Sequence, residues 1–209
     1  MLYGVRRLYD AHRASFALRK IRSSEKANGA KPGKDRTSRR FFIYLTKGMI
    51  PVKFTLRRAE ARDRLPLEPL EKELFLVHKN AAPDLFKDDP PYFTGEYYAS
   101  LISDPDRLLL IAETGDGTPA GFLTAYVRRI KDHPNLRDQA LFHVDDLFVG
   151  DAFRRGGIGR ALMEEAKRDG KRRGCEALEL GVYAFNRNAI AFYEAMGMEA
   201  EVLRMRLSL

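Results

Sequence analysis

The stretch FRRGGIGRALM, Phe153 to Met163, sets two arginines and three glycines in a row of six residues and then runs straight into helix formers. A glycine in a helix costs roughly 1 kcal/mol against alanine, so three of them need compensation. Upstream, QALFHVDDLFVG (Gln139 to Gly150) reads as a long strand. Downstream, Ile158, Ala161, Leu162 and Ala166 keep helical spacing, and Gly174 is a fitting stop. The reading is therefore strand, tight turn, helix start. The first N–H groups of a helix lack intrahelical partners, and with the helix dipole they form an anion site. Glycines let a phosphate reach bare backbone, while Arg154, Arg155 and Arg160 add charge and forked donors. A bound diphosphate would supply the compensation; without one, the stretch is a tight corner with exposed arginines. It is no P-loop, since no GK[ST] follows, and a poor dinucleotide fingerprint, since a hairpin precedes its strand.

Outward from this turn the chain has a regular order. Residues 52–59 alternate as a strand, with Val52, Phe54 and Leu56 on one face. Residues 62–78 carry helix formers, interrupted at the start by Pro66 and Pro69, and 80–93 form a proline-rich loop. A short helix is expected over 95–103. Residues 107–113 and 120–130 are strands joined by the turn TGDGTP, Thr114 to Pro119. Glu176 to Ala184 forms another strand, and Ala189, Phe192, Tyr193 and Met196 mark a last helix ended by Gly197. EVLRMRLSL, Glu201 to Leu209, alternates as a closing strand. The sum is an α/β fold: a mixed sheet flanked by helices, antiparallel early, with one parallel pair at the crossover.

Charge divides the chain in two. The net charge is +8, but residues 1–48 hold 13 Lys/Arg against Asp10, Glu25 and Asp35. The remainder is slightly acidic, so the basic balance says nothing about what the folded part binds. Residues 1–48 are expected to be a basic, disordered extension, and 49–209 the folded domain. Three readings fit the extension: a solvated tail ahead of a working start at Met49, a transit peptide, or a nucleic-acid arm. The first is favoured, and the third lacks aromatic-basic interleaving. No apolar run is long enough to span a membrane. The single cysteine, Cys175, excludes an internal disulfide framework, fits a reducing compartment and predicts a cytoplasmic location. No Cys/His cluster has metal spacing.

The two halves of the C-terminal region together resemble the GNAT superfamily of acyl-CoA-dependent N-acetyltransferases. Arg154, Gly157 and Gly159 fill its diphosphate motif [Q/R]-x-x-G-x-[G/A]. Asn186, Ala189, Phe192, Tyr193 and Gly197 fill its second motif, N-x-x-A-x-x-F-Y-x-x-x-G, and VDDLFV resembles its pantetheine-binding strand. The match is tight over 141–197.

The resemblance implies a splayed parallel strand pair with acetyl-CoA hung in the gap, and no metal. Backbone N–H groups of Arg155, Gly156, Gly157, Ile158, Gly159 and Arg160 would hold the diphosphate. Leu147, Phe148 and Val149 would pair with pantetheine, with a strand amide polarising the thioester carbonyl. Asn186 would hydrogen-bond the pantetheine arm, beside Ala189. Tyr193 would protonate the departing thiolate. Strand alternation sends Asp145 and Asp146 to opposite faces, and the resemblance favours Asp145 as the carboxylate near the acceptor amine, with a water chain as the alternative base. Glu179 and Tyr183, on the facing strand, would help choose the acceptor. The implied reaction is direct acetyl transfer to a primary amine, a small cationic amine being favoured over a peptide amine. A non-catalytic acyl-CoA-binding module is the rival reading. Dimers are common in families of this type, which raises a homodimer as the assembly.

Overall fold

The computed structural model describes the strand Ser38–Phe41 and residues 53–207. Most of the basic extension and Met49 lie outside the described residues. Residues 38–41 are a correction to that reading. They form a strand, β1 (Ser38–Phe41), which adds to the sheet edge antiparallel to β2 (Phe54–Arg58).

After β2 come α1 (Arg64–Ala81) and α2 (Gly95–Ser103), then β3 (Arg107–Thr114), β4 (Pro119–Ile130) and β5 (Gln139–Val149). The chain continues through α3 (Ile158–Arg172), β6 (Ala177–Leu180) and α4 (Arg187–Ala195). The strands lie in sequence order across one sheet. Every neighbouring pair is antiparallel except β5 and β6, which run parallel.

Both faces of the sheet are covered, so β3 reads as an unbroken apolar run. Leu108, Leu110 and Ala112 pack under α3 with Ile158, Leu162 and Ala166. Leu109 and Ile111 point the other way, against Leu67 and Leu70 of α1 and Tyr98 and Leu101 of α2. The prolines shape α1 less than expected. Pro66 lies in the first turn, where an N–H has no intrahelical partner anyway, and the helix runs through Pro69 at the loss of one hydrogen bond. Thr94 caps α2, its hydroxyl accepting from the Tyr97 N–H at 3.3 Å.

Two departures from the sequence reading matter below. β6 ends at Leu180, short of the expected residue 184. Residues 201–207, expected as a strand, form none. Val202, Leu203, Met205 and Leu207 are 58%, 76%, 81% and 84% exposed. No helix among the described residues is long and apolar enough to cross a membrane.

Candidate active site

The site grows from the place where β5 and β6 part. Their last paired residues are Val144 and Leu180; β5 then continues to Val149 with no strand on its β6 side among the described residues. On its other side β5 stays paired with β4, through a bulge. Ala125 lies opposite Val144 and Thr124 opposite Asp146, so Asp145 is the extra residue. The bulge shifts the phase of the strand by one. Phe142 and Val144 face α3 before it, Leu147 and Val149 after it, while Phe148 now faces α1 and α2.

That shift reverses the assignment of the two aspartates. Simple alternation from Val144 turns Asp145 toward the α1–α2 side; the bulge turns Asp146 there instead and leaves Asp145 exposed. Asp146 is held to the buried Thr124. The Asp146 N–H donates to the Thr124 hydroxyl at 3.0 Å, and that hydroxyl donates to Asp146 Oδ2 at 3.1 Å. Burial, followed by the charge of Asp145, pushes the Asp146 carboxyl up to about 6.

Two groups that sequence reasoning missed share this cleft. Glu71 of α1 accepts the Phe93 N–H at 2.5 Å, and burial pushes its carboxyl up to about 7, with Asp146 adding like charge. Tyr97 of α2 has its phenol raised by burial and then by Asp146 and Asp145. A signal for Glu71 was present: it interrupts the buried stripe Leu67, Leu70, Leu74 at helical spacing. Three carboxylates therefore bear on one another from α1 and β5.

Tyr193 reaches the same place from α4. Burial pushes its phenol up to about 12, and the charge of Asp146 adds to that. Its hydroxyl has no hydrogen-bond partner among the described residues. Asn186 caps α4, its side-chain oxygen accepting the Ala189 N–H at 3.2 Å, which leaves the amide nitrogen to donate outward.

At the far end of β5 the glycine turn has the form an anion needs. Arg155 and Gly157 take left-handed φ values of 63° and 76°, which curls successive N–H groups inward. Ala161 is the first residue of the turn whose N–H meets an intrahelical acceptor, the Gly157 carbonyl at 3.0 Å. The donors of residues 155–160 precede it, with no side-chain cap on α3. Gly159 sits against the Phe192 ring, 3.5 Å from where a Cβ would stand, so α4 closes over the turn. Arg154 differs from its expected role. Its Nε donates to the Val149 carbonyl at 3.0 Å and it pairs with Asp151 at 2.6 Å, so it braces the turn. Arg155 and Arg160 stay exposed at the mouth.

Glu179 lies on the facing strand as expected, while Tyr183 falls beyond its end. Glu179 is held by Arg128 at 2.6 and 2.8 Å and by His143 Nδ1 at 3.0 Å. Burial works upward on its carboxyl, but the hydrogen bonds from His143 and Arg128 outweigh it and bring it to about 2. It serves as a cross-strand tie and is not free for an acceptor. Tyr183 lies in the loop after β6, stacked on Phe185 at 5.2 Å and tilted to His78 of α1 at 5.4 Å. With Phe86 these rings form an aromatic wall beside the acidic cleft.

A parallel pair that parts beside an uncapped helix start leaves an open gap at this edge of the α/β frame. The chain belongs to the acetyltransferase (GNAT) family, whose profile it matches over residues 74–198. It is 26% identical over 159 residues to the L-ornithine N5-acetyltransferase NATA1 of Arabidopsis thaliana, a match covering 76% of this chain and 66% of that protein. An uncharacterized N-acetyltransferase, MJ1207 of Methanocaldococcus jannaschii, is 34% identical over 103 residues, 49% of this chain and 44% of the relative. The matches thus span less than two thirds of either relative. Among solved structures, a single-residue mutant of the BH1408 protein from Bacillus halodurans superposes with a TM-score of 0.71 at 25% identity, covering 74% of this chain and 98% of that one. The glucosamine-6-phosphate N-acetyltransferase of Arabidopsis thaliana shares the fold, with a TM-score of 0.57 at 19% identity, over 74% of this chain and 97% of its own.

Proposed function

We propose that this protein transfers the acetyl group of acetyl-CoA directly to the primary amine of a small cationic acceptor. The observation that carries the reading is the gap itself. On its β6 side, β5 runs without a partner strand from Asp146 to an unpartnered N–H turn, with Tyr193 and Asp146 bearing on each other across the gap. An acyl carrier ending in a diphosphate fits that gap in one direction: diphosphate on residues 155–160, pantetheine along 147–149, thioester near Asp146. Asn186 then supplies a donor to the pantetheine arm.

The chemistry follows from charge. The acceptor enters from the α1–α2 side, where Glu71 and Asp146 attract a cation. Asp146, with its carboxyl near 6, is a better proton acceptor than an ordinary aspartate and takes the ammonium proton directly or through water. The free amine attacks the thioester carbonyl, and a β5 N–H stabilises the oxyanion. The C–S bond breaks as Tyr193 gives its proton to sulfur, and the second proton of the attacking nitrogen, lost as the amide forms, passes through solvent and restores the phenol. A phenol held near 12 is fully protonated at neutral pH and so has that proton to give. Arg154 and Glu179 hold the turn and the strands in register.

The similar L-ornithine N5-acetyltransferase acts on an amine, which supports the acceptor class. The test is acetyl-CoA consumption across a panel of diamines, basic amino acids, amino sugars and peptides, with products read by mass spectrometry. N-acetylation of small cationic amines supports the reading. Slow hydrolysis with no acceptor dependence contradicts it.

A further inference from the structure

One face of α1 runs from charge to aromatic surface. Glu71, Phe75 and His78 stand at i, i+4 and i+7, so they share that face, and Glu71 and His78 lie roughly 10 Å apart along the axis. The Glu71 end is acidic. Glu71 and Asp146 repel each other there, and Glu71 and Asp89 both bear on the Tyr92 phenol. Beyond it the face is made of rings. Phe75 meets Tyr92 and Phe86 edge-on at 5.8 and 6.1 Å, and Phe86 stacks on His78 at 5.6 Å. His78 in turn meets Tyr183 at 5.4 Å and the edge of Phe185 at 6.3 Å.

These rings are not sealed in the core. Tyr183 and Phe185 stack on each other at 5.2 Å, yet they are 45% and 39% exposed. They stand in the loop between β6 and α4, just ahead of Asn186. Charge says what the open end can hold. Phe86 already carries a cation on its backbone: Lys79 Nζ donates to the Phe86 carbonyl at 2.9 Å and pairs with Asp88 at 2.9 Å. Asp88 is thus matched, and a second ammonium would gain no unmatched charge from it. Burial pushes the His78 imidazole down, so at neutral pH it is an uncharged ring. A flat apolar group can continue this stack or meet its ring edges.

We propose that the acceptor is a primary amine bearing an aromatic ring, with its ammonium at Glu71 and Asp146 and its ring against His78, Phe86, Tyr183 and Phe185. The acidic end of the α1 face selects the charge, and the aromatic end selects the shape behind it. The inference rests on the acetyl-transfer reading and narrows it.

The experiment uses the full chain with acetyl-CoA and primary amines of rising chain length, each with and without a terminal phenyl group. The phenyl amines should exceed the plain alkylamines in kcat/KM by roughly tenfold or more, chiefly through KM. Phe86→Ala and Phe185→Ala should each erase most of that ratio, which is taken within one preparation so that partial loss of folded protein cancels. A second measurement needs no variant: in saturation-transfer NMR of phenethylamine with the wild type and coenzyme A, the ring protons should be saturated more strongly than the methylenes. Alkylamines or diamines acetylated as well as the phenyl amines, a ratio that the ring variants leave intact, or ring protons saturated less than the methylenes would overturn the inference while leaving acetyl transfer standing. No acetylation of any amine would overturn both.

Discussion

Tyr193 and Asp146 show how single residues acquire roles from their surroundings. Position on the α4 stripe makes Tyr193 look like a core aromatic, and in part it is, since it packs against the core. What separates it from Phe192 is an unpartnered hydroxyl beside a buried carboxyl. Tyr193→Phe should lower kcat by roughly 10²-fold while leaving acetyl-CoA affinity unchanged; single-turnover kinetics checks the chemical step. Asp146→Asn should cost far more activity than Asp145→Asn, because only Asp146 is tied to Thr124 inside the cleft. Equal losses would remove the distinction. The pH dependence has a definite sign. Glu71 and Asp146 take up protons as pH falls through about 7 and about 6, losing the charge that holds a cation and the base that frees the amine. Acceptor kcat/KM should therefore fall across that window, and Asp146→Asn should remove the limb near 6. The two carboxyls interact, so the profile reports the pair.

Among the elements, the bulge in β5 decides the site, and it was the part least visible in the sequence. Strand periodicity across 139–150 is plain, and so are the helix stripe of α3 and the glycine turn. A one-residue insertion in a strand leaves no composition signal; only the partner strand reveals it, through Thr124 facing Asp146. Glu179 failed for a similar reason, because its partners Arg128 and His143 are distant in sequence. The turn before α3 makes its own prediction. Gly157 holds φ of 76°, where side chains are strained. Gly157→Val should weaken coenzyme A binding at least tenfold by calorimetry, and full affinity would argue against the anion site. Away from the site, Arg57 holds the buried Asp63 at 2.6 and 2.8 Å and bonds Glu113 at 2.6 Å. Arg57→Ala leaves Asp63 buried and unpaired, and should destabilise the fold by about 3–5 kcal/mol in urea denaturation.

For the whole molecule, the early antiparallel sheet, the late parallel pair and the flanking helices were all legible, because each element carries its own periodicity. The two ends were not. Residues 38–41 sit in a basic stretch that composition marks as solvated, yet they pair along β2. Residues 201–207 carry a strand pattern yet form no strand, since a pattern states what a segment can pair with and not whether an edge takes it up. The charge split has a consequence too. Because the basic excess lies in residues 1–48 and the carboxylates of the cleft in the folded part, a variant lacking residues 1–37 should keep its kcat and acceptor KM; a marked loss would place the extension in the site.

The proposed function rests on bare N–H groups after β5 holding the diphosphate of an acyl carrier hung between β5 and β6. A crystal structure with coenzyme A tests it most directly. The diphosphate should lie on the backbone of residues 155–160, with pantetheine paired with 147–149 and the thiol beside Tyr193. Coenzyme A lodged elsewhere, with that turn empty, would contradict it.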